Sequence, residues 1–256
     1  MTEPTPHPTP AQDVVLVTGG SRGIGAAVVR KAAALGYAVG FSYVQDTAAA
    51  ETLVAELTGA GARVHAVQGD VADPAFAPRF FDAATRALGT PTALVNNAGI
   101  TGRHGPFADL PLEVMRRTLD VNLLGTLMMA QQAVRRWQAA GIPGRMVNLS
   151  SAAATLGSPG EYVHYAATKG AVDTLTIGLG KEVAPLGIRV NAVAAGTAYT
   201  GIHAAGGVPD RPARVVGRVP LGRIAEPDEI ADVVLWLLSP ESAYVTATVV
   251  RATGGL

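Results

Sequence analysis

Val14-Val15-Leu16-Val17-Thr18-Gly19-Gly20-Ser21-Arg22-Gly23-Ile24-Gly25 is the stretch on which the fold turns. A short β-branched run passes straight into a glycine-rich turn, and the turn opens an Ala-rich helical segment that reaches Leu35. Glycines at such a junction accept positive φ and let backbone N–H groups approach an anion at a helix N-terminus, where the macrodipole favours negative charge. A bare glycine turn says little. Between a first strand and a first helix it reads as a cradle for the pyrophosphate of a dinucleotide.

The same alternation of short β-branched runs and longer helical stretches continues along the chain. Strands are predicted near Val14–Val17, Ala38–Tyr43, Val64–Gln68, Ala93–Val95, Arg145–Leu149, Ile188–Ala192 and Thr248–Arg251. Helices are predicted near Gly23–Leu35, Thr47–Gly59, Pro74–Leu88, Pro111–Ala140, Val163–Ala184 and Pro227–Leu238. Right-handed crossovers place these elements in one α/β doubly wound, parallel, seven-stranded sheet, expected in the order 3-2-1-4-5-6-7. The chain should form a single domain over 13–256, after a Pro-rich lead over 1–12 that is expected to be disordered. The segment Gly196–Ile224 breaks the pattern: it is rich in Gly, Pro and Arg, and it follows the sixth strand, at the sheet edge where such folds bind ligands. A loop of that length is expected to act as a lid.

Composition narrows the function. The net charge is zero, with basic residues scattered singly or in pairs, so no stripe points to nucleic acid or to an anionic membrane. A small neutral or mildly polar substrate fits better. The absence of cysteine excludes a disulfide framework, thiolate-bound zinc and a thiol nucleophile, and it permits a reducing compartment; the expected location is the cytoplasm. No apolar run approaches the roughly 20 residues of a membrane span. His104, His164 and His203 show no metal-binding arrangement and read as loop or surface histidines, so no metal is expected.

Tyr165 and Lys169 stand four residues apart, with Ser151 fourteen residues before the tyrosine. On a helix, Tyr165 and Lys169 share a face, and an adjacent ammonium favours phenolate over phenol. That is a route to a proton donor and acceptor for an alcohol or carbonyl near neutral pH. Taken alone, the pair equally describes a core tyrosine beside a solvated lysine.

Four ordered motifs decide between these readings. The loop Thr18-Gly19-x-x-x-Gly23-x-Gly25, the pair Asp70-Val71, the element Asn96-Asn97-Ala98-Gly99, and Asn122 followed by Tyr165-x-x-x-Lys169 together resemble the short-chain dehydrogenase/reductase superfamily over nearly the whole chain. The ending Tyr244-Val245-Thr246 to Gly254-Gly255 looks like the family's C-terminal signature. The resemblance implies a Rossmann-type domain in which Tyr165 is general acid/base and Ser151 polarises the substrate carbonyl. Lys169 would lower the Tyr165 pKa and bind nicotinamide ribose, and Asn122 would hold a water joining Lys169 to solvent. Cofactor contacts are implied for Gly19, Ser21, Arg22, Gly23, Ile24, Gly25, Tyr43, Asp70, Val71, Asn97, Ala98, Gly99, Tyr165, Lys169, Gly196 and Thr200.

Two departures from the family pattern stand out. The interval from serine to tyrosine is one residue longer than usual, and of Ser150 and Ser151, which strand alternation turns to opposite faces, Ser151 is the better match. Ala195-Gly196 replaces the family's Pro-Gly. NAD-selective members carry an acid at the end of the second strand; here Tyr43 occupies that position and Arg22 is available to a 2′-phosphate, so NADP(H) is predicted over NAD(H). The substrate wall is expected from Ala153, Leu156, Tyr162, His164, Thr101–Phe107 and the loop with His203. The predicted activity is hydride transfer between NADP(H) and a small carbonyl or alcohol, in a homo-oligomer, a tetramer by resemblance. The alternatives are a sugar-nucleotide epimerase or dehydratase, which shares Tyr-x-x-x-Lys, and an inactive cofactor-binding scaffold or sensor.

Overall fold

The first strand, β1 (Val14–Val17), has all four residues buried, as a strand covered on both faces requires. Val15 and Val17 pack into one core layer and Leu16 into the other. This computed structural model describes residues 13–256, and the expected disordered lead over 1–12 lies outside the described residues. From β1 the chain continues through α1 (Gly23–Ala34), β2 (Ala38–Tyr43), α2 (Thr47–Gly59), β3 (Val64–Gln68), α3 (Phe76–Leu88) and β4 (Ala93–Asn96). Next come α4 (Leu112–Leu119), α5 (Gly125–Ala140), β5 (Arg145–Ser151), α6 (Ala153–Leu156), α7 (Val163–Val183) and β6 (Arg189–Ala195). The last elements are α8 (Ile202–Ala205), α9 (Arg211–Val215), α10 (Pro227–Leu238) and β7 (Val249–Ala252).

The strands form one parallel seven-stranded sheet in the order β3-β2-β1-β4-β5-β6-β7, as the sequence predicts. One face packs Val28, Val29, Leu53, Ile230 and Val234 against Val39 and Phe41. The other packs Phe76, Phe80, Phe81, Met129 and Trp137 against Leu94 and Met146, and the Trp137 indole donates to the Pro91 carbonyl at 2.8 Å.

Most element ends fall within a residue or two of the sequence reading, and three larger departures bear on the site. Strands β5 and β6 run on to Ser151 and Ala195, because their pairing continues through Ser150↔Ala194 and Ser151↔Ala195. The single helix expected over Pro111–Ala140 is two helices joined by a π-helical turn at Asp120–Leu124, in which the Gly125 N–H bonds the Asp120 carbonyl. The turn lets the Asn122 side chain clamp a neighbouring loop, and π turns recur where a helix must present one side chain out of register. The segment after β6 is not irregular throughout, since it holds the one-turn helices α8 and α9. Among the described residues no helix is long and apolar enough to cross a membrane.

Candidate active site

A cavity of about 900 Å³ runs along the carboxyl ends of the strands. Its first half is organised by the glycine loop. Gly19 has φ +65°, and a Cβ on Gly25 would lie 2.2 Å from the Gly19 carbonyl oxygen and 2.5 Å from Asn97 Nδ2, so both positions need glycine. Asn97 Nδ2 donates to the carbonyls of Thr18 and Gly19 at 2.9 and 3.0 Å, which ties β4 to the loop. The Thr18 hydroxyl accepts from the N–H groups of Asn97 and Ala98, each at 3.0 Å. Thr18 thus organises the site without reaching the ligand space, and its only signal in sequence is its place at the head of the glycine motif.

The same half fits a dinucleotide by its donors. No side chain caps the N-terminus of α1, and no acid lies in its first turn, so backbone N–H groups and a positive dipole end open onto Gly23 and Ile24 in the cavity wall. Ser21, Arg22, Tyr43, Asp70, Val71, Ala98, Gly99, Gly196 and Thr200 line the cavity beside them. Arg22 is exposed at the rim, whereas Asp46 is engaged as the N-cap of α2, accepting from the Ala49 N–H at 3.0 Å. Asp70 pairs with Arg117, a wall residue that sequence reading missed because nothing in the local pattern marks it. Gly196 lies against Thr253, whose Cα would be 2.9 Å from a Cβ placed there; the Ala195-Gly196 lead-in thus keeps a close backbone approach without the family proline.

The second half holds Ser151, Tyr165 and Lys169 together. Register places Ser150 and Ser151 on opposite faces of β5. Ser150 is buried and donates to the Lys169 carbonyl at 3.4 Å, while Ser151 accepts from the Ala153 N–H at 3.1 Å and has its hydroxyl beside the Tyr165 phenol. Lys169 Nζ donates to the Leu149 carbonyl at 2.6 Å. Burial pushes the Tyr165 phenol up to about 12, against a smaller downward pull from Ser151, and burial pushes the Lys169 ammonium down to about 8. The sequence predicts that Lys169 draws Tyr165 down. In the protein alone, desolvation dominates the Tyr165 phenol, and the downward pulls on it come from Ser151 and Arg211 rather than from Lys169.

Asn122 is buried and does not line the cavity. Its Oδ1 accepts from the Ile100 N–H at 2.8 Å, and its Nδ2 donates to the Ile100 carbonyl at 2.8 Å and to the Thr168 hydroxyl at 3.1 Å. With both amide hydrogens engaged, the side chain ties Ile100 to Thr168.

The substrate wall also departs from expectation. Ala153, Leu156, Tyr162, Thr101, Gly102 and His203 line it, but His164 does not. Successive helical residues point about 100° apart, so the face that aims Tyr165 at the cavity turns His164 away, towards Gly102 and Thr118. Phe107 points outward, 58% exposed. His164 and His203 are buried rather than surface residues, and burial pushes His203 down to about 4. Among the described residues no group of His, Asp and Glu is arranged to hold a metal. Arg211 and Arg218 complete the wall and were not anticipated, since neither α9 nor the turn after it, which carries Arg218, shows a periodic signal.

Known proteins resemble this chain over nearly its whole length. Residues 19–256 match a family model described as enoyl-(acyl carrier protein) reductase. The oxidoreductase YgfF of Escherichia coli (strain K12) is 43% identical over 244 residues, which cover 94% of this chain and 99% of that protein. The L-rhamnose 1-dehydrogenase (NAD(P)(+)) of Sphingomonas sp. (strain SKA58) is 39% identical, over 94% of this chain and 95% of its own. A crystal structure of a short chain dehydrogenase from Burkholderia cenocepacia J2315 in complex with NADP superposes with a TM-score of 0.88 at 32% identity, covering 97% of this chain and 99% of that one. The chain belongs to the short-chain dehydrogenase/reductase superfamily and is an oxidoreductase of that NAD(P)-dependent type.

Proposed function

We propose that the protein is an NADP(H)-dependent reductase of small carbonyl compounds, and a dehydrogenase of the corresponding alcohols, in which Tyr165 transfers the hydroxyl proton. The observation that carries this reading is the placement of Ser151, Tyr165 and Lys169 in one wall of the cavity onto which the uncapped N-terminus of α1 opens. The glycine loop, Asn97–Gly99, Gly196 and Thr200 would hold the cofactor, with Arg22 and Tyr43 at the 2′-phosphate. When bound, the nicotinamide supplies or accepts the hydride.

The chain's own residues handle the proton. Tyr165, neutral at physiological pH, is the acid that protonates the carbonyl oxygen during reduction, and Ser151 donates to the same oxygen as negative charge builds there. Lys169, anchored on the Leu149 carbonyl, sets its ammonium beside the phenolate that Tyr165 becomes. Asn122 holds Ile100 and Thr168, and through them the backbone around Gly99 and α7.

A small neutral alcohol or carbonyl is the substrate class, and the activity of the Sphingomonas relative makes an aldose the first compound to test. Exposed Leu112, Leu119, Leu124 and Leu127 along α4 and α5 support a homo-oligomer. The test is a panel of ketones, aldehydes and alcohols followed by NADPH absorbance, with Tyr165→Phe as control. Turnover that survives in Tyr165→Phe would contradict the assigned chemistry.

A further inference from the structure

Arg211, on α9, is only 9% exposed and lies in the substrate wall of the cavity. Its guanidinium is held on three sides. Nη2 and Nε bond Glu161 Oε2 at 2.8 and 3.1 Å, Cζ lies 4.9 Å from the Tyr162 ring centroid, and Nη1 is 3.4 Å from the Thr197 hydroxyl. Tyr162 in turn meets Tyr165 edge to face, with centroids 5.2 Å apart. A fixed cation therefore sits one aromatic ring beyond the proton donor. Arg211 and its Nη1 partner Thr197 both line the ligand space, whereas Glu161 does not.

We propose that Arg211 is a specificity-determining residue, and that Glu161, by pairing with it, sets the pocket for uncharged substrates and against carboxylates. The inference rests on the carbonyl-reductase reading of the site. A second carboxylate brought to Arg211 is attracted by the guanidinium and repelled by the Glu161 carboxylate bonded to that same guanidinium, so the two contributions oppose each other and the desolvation cost remains. A hydroxyl or carbonyl oxygen takes the Nη1 hydrogen without that repulsion. His104 and His203 are both held neutral by burial and supply no compensating charge. Arg214 pairs with Asp210 in solvent, and Arg218, exposed in the cavity wall, is common to wild type and the Glu161 variants and so does not alter the change in ratio between them.

The test is calorimetric titration of the full-length protein saturated with NADP⁺, using cyclohexanecarboxamide and cyclohexanecarboxylate as ligands of nearly equal shape. Wild type is expected to bind the amide at least as tightly as the carboxylate. Glu161→Gln, which keeps an acceptor for Arg211 but removes the charge, should move the ratio towards the carboxylate by about tenfold or more, and adding Arg211→Gln should abolish the gain. Should Glu161→Gln melt out, Glu161→Asp, which weakens the pairing, should give a smaller shift in the same direction. An unchanged ratio in a folded Glu161 variant, a wild-type preference for the carboxylate, or binding of neither ligand would overturn the proposal. Loss of NADPH-dependent turnover on every neutral ketone would instead count against the reductase reading, because the binding ratio is measured without turnover.

Discussion

Lys169 Nζ lies 5.7 Å from the centroid of the Tyr165 ring, one helical turn away on α7, and is anchored to the Leu149 carbonyl of β5. With Tyr165 pushed up to about 12 by burial, the phenol is the form present at neutral pH. Reduction uses that form directly, and oxidation must first remove its proton. Alcohol oxidation is therefore expected to rise by up to about tenfold per pH unit between about pH 6 and about pH 8, below the titration of Lys169, while ketone reduction stays level or declines. Initial rates in both directions across a pH series check this, and oxidation that slows as pH rises speaks against it.

The two serines should separate cleanly. Ser151→Ala removes the hydroxyl beside the Tyr165 phenol and should lower kcat about a hundredfold. Ser150→Ala removes a buried bond to the Lys169 carbonyl and should cost about 1 kcal/mol of stability with turnover nearly intact. Paired kinetics and urea melts distinguish them; the reverse pattern would move the catalytic assignment to Ser150.

Much of this arrangement was legible in the residues, and what was hidden follows a physical rule. Strand order and the glycine cradle could be read because a buried parallel strand and a positive-φ turn each demand particular residues, as Val14–Val17 and Gly19 show. The orientation of His164 was hidden by the rotation of a single helical position. The raised pKa of Tyr165 was also hidden, because burial is set by the packing of Tyr162, Ala153 and Ala166 around it, which no local pattern encodes. The Arg211–Glu161 pair joins residues fifty positions apart across two irregular segments and left no periodic trace.

Cofactor choice is expected to depend on Arg22. Asp46 is engaged as the cap of α2, and Arg22 is the basic group of the glycine loop in the cavity wall, where it would meet a 2′-phosphate. Arg22→Ala should weaken NADPH about tenfold while leaving NADH nearly unchanged, the scale of one charge-assisted hydrogen bond. Fluorescence titration with both cofactors measures it, and equal losses for the two would reject the role.

Acid should destabilise the fold through His203. Burial holds its folded pKa near 4, below the ordinary 6.5, so the unfolded chain takes up a proton that the folded protein resists. Stability is full above about pH 6.5 and falls by up to about 3 kcal/mol as pH drops towards 4, with His104 and His164 depressed in the same direction. Denaturant melts at several pH values should show His203→Gln with a shallower decline than wild type; an equal decline would remove His203 from the account.

The central claim is that this cavity passes a hydride between a nicotinamide and a carbonyl carbon while Tyr165 delivers the proton. NADPH carrying deuterium at both C4 positions tests it most directly, with the product alcohol analysed by mass spectrometry for wild type and Tyr165→Phe. The account predicts deuterium on the carbinol carbon with wild type and a loss of product of at least about a hundredfold with Tyr165→Phe. Unlabelled alcohol from wild type, or labelled alcohol formed equally well by Tyr165→Phe, would contradict it.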